Sequence, residues 1–203
     1  MKDSADRIIV VATKNKDKIR EIAAIVEDLG WTVISRDEAG VPPVEIEETG
    51  TTFAENSALK ARAIMELCGR VTIADDSGLC CDYLDGAPGV YSSRFSGADG
   101  DDEANNRKLV SLTLPVPEED RKAHYMCVMT MVFPDGREIV AEGRVDGHII
   151  TEARGENGFG YDPYFVPDGY EKTFAEFDPD AKNAISHRGN ALRALKAKLE
   201  ELK

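Results

Sequence analysis

The 203-residue sequence has few cysteines, too little basic charge to balance its acids, and no long apolar run. Its four cysteines, Cys68, Cys80, Cys81 and Cys127, match no zinc-binding spacing, and two of them are adjacent. They read as reduced, mostly buried thiols rather than a disulfide framework. Lysine and arginine total 25 against 38 aspartates and glutamates, a formal net charge of −13. That balance argues against a partner that is a nucleic-acid polymer, which calls for a basic face. It leaves room for a small phosphorylated ligand held by a few local lysines and a divalent cation. No stretch approaches the roughly 18–20 apolar residues of a membrane span. The first seven residues are polar and form no signal-peptide core, so the expectation is a cytoplasmic protein without a membrane partner. Walker A, HExxH, CxxC and serine-hydrolase patterns are all missing. A hydrophobic fraction of 42% is nonetheless enough for a packed core and too high for a disordered chain.

What is present centres on residues 71–79. The apolar run 71–74 ends in Asp75 and Asp76, followed by Ser77, Gly78 and Leu79. Adjacent ionised carboxylates repel unless a cation or a shared proton lies close. Two readings stand on this stretch alone. One is an ordinary turn, since Asp, Ser and Gly are turn residues. The other is a buried strand that delivers two carboxylates at its carboxyl end.

Upstream, residues 7–13 hold four consecutive large apolar side chains and predict a strand covered on both faces. Ile19, Ile22, Ala23, Val26 and Leu29 recur at helical spacing, with Gly30 as the stop. Residues 31–35 predict a second strand, so the chain opens β-α-β and favours a parallel or mixed sheet. Residues 36–50 show no period and carry Pro42, Pro43, Glu45, Glu47 and Glu48. Thr52 and Glu55 make a capping box. The helix after it is predicted to reach about Cys68, burying Ala54, Ala58, Ala61, Met65 and Cys68 and leaving Glu55, Asn56, Lys60 and Arg62 off that stripe. Downstream the pattern gives a short strand at 79–84, a turn at 86–89, and a helix capped by Asp101 or Asp102. A strand at 122–133, a hairpin turn at Pro134-Asp135-Gly136, a return at 137–145 and another strand at 147–151 follow. A Gly- and aromatic-rich loop fills 155–170. A last helix runs to Leu202 with Leu192, Leu195, Leu199 and Leu202 on one face. The expectation is an α/β protein of two lobes with a cleft.

Four stretches carry chemistry. Thr13, Lys14, Asn15, Lys16, Asp17 and Lys18 lie between a strand and a helix, where backbone N–H groups and the helix dipole suit a phosphate; an ordinary polar turn is the other reading. Glu45, Glu47, Glu48, Glu55, Asp75 and Asp76 offer hard oxygens for Mg²⁺, which is commonly held by one or two carboxylates plus substrate phosphates. Surface charge and helix capping are the alternatives, most of all for Glu55. In Gly158-Phe159-Gly160-Tyr161-Asp162-Pro163 the glycines permit close backbone approach and the aromatic rings can stack on a base or anchor the loop. Lys182, His187 and Arg188 sit together ahead of the last helix, as donors for carbonyl or phosphate oxygens or as exposed charges at a helix entry.

Taken in order, Thr13-x-Asn15-x-x-Lys18, Glu48-Thr49-Gly50, Thr52-Phe53-x-Glu55-Asn56, Ala74-Asp75-Asp76-Ser77-Gly78-Leu79, Gly86-Ala87-Pro88-Gly89, Phe159-Gly160-Tyr161-Asp162 and Ser186-His187-Arg188-Gly189 resemble the inosine triphosphate pyrophosphatase, or HAM1, family over nearly the whole chain. The resemblance implies a single ITPase-like domain over 1–203, with an elongated two-lobed mixed β-sheet, flanking helices and a central cleft that holds the active site. It implies Mg²⁺-dependent hydrolysis of ITP, dITP and XTP to the monophosphate and pyrophosphate, by a homodimer. It makes Asp76 the proton acceptor and, with Glu48, a metal ligand; the adjacent Asp75 is expected as a supporting carboxylate that orients it. It makes residues 13–18, Ser77, Phe159, Gly160, Tyr161, Asp162, Lys182, His187 and Arg188 substrate-binding; the charge of Lys60 suits the same triphosphate. Lys14 departs from the family, in which a small residue is common at that place. A Maf-type pyrophosphatase acting on modified or pyrimidine nucleotides, and a nucleotide sensor that does not cleave, are the competing readings.

Overall fold

In the computed structural model, residues 7–13, 16–27 and 30–201 are described, with residues 16, 17, 21, 24 and 25 described by their backbone alone. In chain order the elements are β1 (Ile8–Val11), α1 (Lys16–Val26), β2 (Thr32–Ser35), α2 (Phe53–Cys68), β3 (Thr72–Cys81), α3 (Asp102–Thr113), β4 (Lys122–Val132), β5 (Glu138–Ile149), β6 (Phe165–Pro167), α4 (Pro179–Ile185) and α5 (His187–Glu200). The strands form one six-stranded mixed sheet in the order β2-β1-β3-β4-β5-β6. The opening β-α-β unit is parallel as predicted, with Ile8 opposite Thr32, and β1 also runs parallel to β3, with Val10 opposite Thr72. β4 and β5 make the predicted hairpin around Gly136, whose φ of 87° the turn requires. β6 closes the sheet antiparallel to β5, with Gly147 opposite Pro167.

The chain divides into two compact units. One comprises Met1–Asp76, Val128–Gly143 and Gly189–Lys203, the other Ser77–Cys127 and Arg144–Arg188. In the first, Val10, Val41 and Ile64 form a buried cluster backed by Ile34, Val44 and Ile46. A neighbouring cluster joins Ala61, Ala74 and Val132. In the second, Leu79, Leu109, Tyr125, Ile149, Phe165 and Phe174 are the centre of a larger core. Tyr125 and Phe165 meet edge to face there, with centroids 4.9 Å apart. Burying a side chain of that size contributes about 1.5–3 kcal/mol.

The stretch 71–79 corrects both expectations for it. It is neither a turn nor a strand end: Asp75 and Asp76 lie inside the ten-residue β3, of which every residue except Ser77 is buried. Local propensity disfavours Asp, Ser and Gly in a strand, but a central position between β1 and β4 overrides it. Gly78 is needed here for space, because a Cβ would fall 2.3 Å from Ser92 Oγ and 2.4 Å from the Gly89 carbonyl. Ser92 Oγ accepts from Leu79 N at 3.0 Å and donates to the Gly89 oxygen at 2.6 Å, so the strand stays satisfied where it meets the short 3-10 turn at Gly89–Arg94.

Other boundaries differ for similar reasons. Residues 79–81 belong to β3, and 147–149 continue β5 rather than forming a strand of their own. The loop 155–170 contains β6. The last helix is two helices, parted where Ser186 is extended (φ −72°, ψ 158°), so Lys182 lies in α4 and His187 and Arg188 open α5. Leu192, Leu195 and Leu199 are buried as predicted, and Leu202 lies outside the described residues, as does Leu29. In α2 the capping box forms as expected, but the fully buried positions are Asn56, Ser57, Ala61 and Ile64. The helix faces polar partners: Ser57 Oγ lies 2.7 Å from Thr130 Oγ1 on β4. None of the four cysteines is in a disulfide.

Candidate active site

The predicted residues gather into two groups, one in each unit. The first is built on β3. Successive strand residues point to opposite faces, so Asp75 and Asp76 diverge, and each meets its own lysine. Lys18 Nζ of α1 lies 2.8 Å from Asp75 Oδ2. Lys60 Nζ of α2 lies 2.9 Å from Asp76 Oδ1 and 2.7 Å from Glu48 Oε1. The repulsion that the sequence posed is thus answered by geometry and by two ammonium groups.

Glu48 reaches this place by alternation. Residues 41–50 form no regular element, with a tight turn where Thr49 N donates to the Glu47 oxygen, and their exposure alternates: Val44, Ile46, Glu48 and Gly50 are half-buried, while Glu45, Glu47 and Thr49 are exposed. Val44 and Ile46 pack on the Val10 cluster, and Glu48 is the next inward position. This period of two was present in the sequence, though 36–50 was expected to be aperiodic. Glu55 is a cap and no part of the group. Its carboxylate accepts from Thr51 N, Thr51 Oγ1 and Thr52 N, and the Thr51 backbone bond leads in lowering its pKa.

Asn56 is a further member, which the sequence placed off the buried stripe. Its Oδ1 accepts from Gly50 N at 2.8 Å, and its Nδ2 donates to Asp76 Oδ2 at 3.3 Å. One amide therefore ties the Glu48 segment to the Asp76 carboxylate. The signal was available, since Asn56 and Lys60 are four residues apart and share a helix face. Burial raises the pKa of Asp76 above the ordinary carboxylate range, against the opposing pull of Lys60. Burial also works against the Lys60 ammonium, but Asp76, Asp75 and Glu48 outweigh it and its pKa is raised. Lys14 and Asn15 lie outside the described residues, as do the side chains of Lys16 and Asp17; Thr13 stands three residues ahead of α1.

The second group surrounds Phe159, a residue that is 45% exposed. Tyr161 is only 3% exposed and its hydroxyl donates to the Ser92 carbonyl at 2.7 Å, so it anchors the loop and is not available to stack on a base. Asp162 Oδ2 accepts from Phe159 N at 2.9 Å and from Lys182 Nζ at 2.5 Å. Gly158 has φ +79°, and a Cβ there would lie 2.2 Å from that same oxygen, so only glycine lets the carboxylate turn back under the loop. Two residues of α3 hold the loop from its other side: Asn106, which the sequence did not single out, and Asp102, which it offered only as a helix cap. Asp102 Oδ2 accepts from Gly160 N at 2.8 Å, and Asn106 Nδ2 donates to the Gly160 oxygen at 2.8 Å. Lys182 Nζ stands 4.8 Å and Arg188 Cζ 5.8 Å from the Phe159 ring centre. Arg188 Nη2 also donates to Ser77 Oγ at 3.2 Å. His187 is buried and stacks on Tyr125 at 4.6 Å with the rings 8° apart.

Chemically the first group offers two carboxylates converging on one positive charge, and the second an exposed aromatic face edged by two cations. Among the described residues no set of three or more His, Cys, Asp or Glu could hold a metal. The donor set still suits a hard divalent cation that takes most of its ligands from phosphate and water. The Lys60 ammonium shows that Glu48 Oε1 and Asp76 Oδ1 can share one cation.

Comparison with known proteins decides the family. The Ham1 family profile matches residues 9–198. The chain belongs to the Ham1 family. It is 50% identical over 186 residues to the dITP/XTP pyrophosphatase of Desulforamulus reducens, spanning 91% of this chain and 92% of that one. The dITP/XTP pyrophosphatase of Bacillus licheniformis is 46% identical, over 95% of this chain and 98% of its own. Among solved structures, the Staphylococcus aureus Ham1 protein superposes with a TM-score of 0.88 at 42% identity, covering 97% of this chain and all of that one. The mixed α/β sheet with its flanking helices is thus a Ham1 fold.

Proposed function

We propose that this chain is a nucleoside triphosphate pyrophosphatase that hydrolyses ITP, dITP and XTP to the monophosphate and pyrophosphate, removing deaminated purines from the nucleotide pool. The observation that carries the reading is the convergence of Glu48 and Asp76 on one cation position, in a chain whose relatives are named dITP/XTP pyrophosphatases. Glu48 and Asp76 would hold Mg²⁺, which when bound offsets charge on the phosphates and on the departing pyrophosphate. Asp76 takes a proton from the attacking water as the oxygen of that water bonds to phosphorus and the anhydride bond between the α and β phosphates breaks. Asp75 holds Lys18 in place, and Lys18 and Lys60 supply positive charge to the polyphosphate. Phe159 stacks on the purine. Lys182 and Arg188 carry donors only, which suits the 6-keto oxygen of hypoxanthine and xanthine and opposes the 6-amino group of adenine.

The same reading takes a homodimer as the assembly and the cytoplasm as the compartment. Four cysteines without a disulfide support a reducing location. Among the described residues, no helix is long and apolar enough to cross a membrane.

The deciding experiment incubates the protein with ITP, XTP, GTP and ATP, with and without Mg²⁺, and resolves pyrophosphate from phosphate. Pyrophosphate release from ITP and XTP that depends on Mg²⁺ is the expected result. Release of single phosphates, or binding without turnover, would end this reading.

Phe159→Ala is expected to raise KM for ITP about tenfold, since stacking a base on an aromatic ring is worth roughly 1–3 kcal/mol. The thermal midpoint should hardly move, because that residue is half exposed. An unchanged KM would remove Phe159 from base recognition.

A further inference from the structure

Lys60 lies where the divalent cation is wanted. Its ammonium is 2.7 Å from Glu48 Oε1 and 2.9 Å from Asp76 Oδ1, the same two oxygens assigned above to the metal. A lysine ammonium and a divalent ion cannot share those atoms. Mg²⁺ needs oxygens at about 2.0–2.1 Å, and two cations that close repel strongly where water is scarce. Water has limited access here, with side-chain exposures of 17% for Lys60, 11% for Asp76 and 26% for Glu48.

We propose that Lys60 is an internal counter-ion that fills the cation seat of the nucleotide-free protein and yields it when a polyphosphate arrives. This rests on the reading that Glu48 and Asp76 bind a divalent ion. The helix supports the idea. The α2 backbone is fixed by its capping box, and Asn56, one turn before Lys60, holds Asp76 by its other oxygen. Asp76 can therefore stay in place while the ammonium moves. The lysine stem is flexible and its head has three donors, so it can pass from carboxylate to phosphate oxygens without losing a partner. The ion and the polyphosphate then favour each other's binding, each by the same factor. A cation alone meets a seat already filled, and a nucleotide alone leaves two carboxylates facing its phosphates. Lys60 is thereby a positioning residue that couples metal to substrate.

Binding of Mn²⁺ to the intact chain, followed by the spin-resonance signal of the unbound ion, tests this without turnover. The proteins are the wild type, Lys60→Met and Lys60→Arg, each with and without pyrophosphate, corrected for the manganese–pyrophosphate complex in solution. Lys60→Met is expected to bind Mn²⁺ alone roughly tenfold or more tightly than the wild type, because one positive charge has left a poorly solvated site. Lys60→Arg keeps the charge and should bind no better than the wild type. Pyrophosphate should tighten Mn²⁺ in the wild type by a larger factor than in Lys60→Met. Equal or weaker Mn²⁺ binding by a folded Lys60→Met would overturn the proposal. Should that variant not fold, wild-type affinity that pyrophosphate leaves unchanged would overturn it instead. The two readings fail separately. Mn²⁺-dependent release of pyrophosphate from ITP, with no gain in Lys60→Met, removes only the counter-ion role. No Mn²⁺ bound by any variant and no ITP cleaved removes the functional reading as well.

Discussion

Asp76→Asn is expected to lower turnover of ITP by about 10³-fold, within the roughly 10²–10⁴-fold that a positioned general base supplies. The substitution keeps the shape of the side chain and an oxygen to accept from Lys60 Nζ, now 2.9 Å away. It removes the negative charge that would hold a cation and the lone pair basic enough to take a proton from water. Folding should survive, since the neutral amide is no harder to bury than a carboxylate whose pKa burial already raises. Asp75→Asn is the informative contrast. Asp75 faces the other side of β3 and meets Lys18, so its loss should weaken substrate binding more than turnover. Steady-state pyrophosphate release, read beside thermal melting of each variant, separates the two. Near-normal turnover in a folded Asp76→Asn protein would take the base role away from it.

That contrast exists because of a strand the sequence obscured. Adjacent Asp, Asp, Ser and Gly look like a place where the chain turns, and local propensity says so. Only the neighbouring strands, remote in sequence, make residues 72–81 a buried strand, and only then do the two carboxylates face opposite ways. The β-α-β opening, the capping box at Thr52 and the hairpin at Gly136 were legible because each is specified within a few residues. Glu48 was legible as a chemical type, and its inward aim was written in the alternation Val44, Ile46, Glu48. The buried amide of Asn56 was missed because an apolar stripe is the wrong template for a helix face that packs on charged partners. Phe159 and Tyr161 show the same limit. Both are aromatic residues in a Gly-rich loop, yet one is exposed and the other is held in the core by Ser92, a partner 69 positions away.

Asp162→Ala should destabilise the second unit by about 3–5 kcal/mol, the usual result of stripping one partner from a buried ion pair. Lys182 and Asp162 are 9% and 2% exposed, and their side chains meet at 2.5 Å. Without the carboxylate, a buried ammonium keeps its desolvation penalty and loses its counter-charge, and the Phe159 N–H loses its acceptor at 2.9 Å. A loss of that size is a large fraction of the roughly 5–15 kcal/mol by which domains are stable. Lys182→Met in the same background should recover much of it, because an apolar side chain of similar length needs no partner. Urea midpoints for the wild type, both single variants and the double variant close a cycle. Additive effects would mean that the pair is not coupled, and the proximity of Lys182 to Phe159 would then owe nothing to Asp162. A strongly non-additive cycle, with KM for ITP raised in Asp162→Ala, would show that one carboxylate sets both the height of the aromatic shelf and the charge beside it.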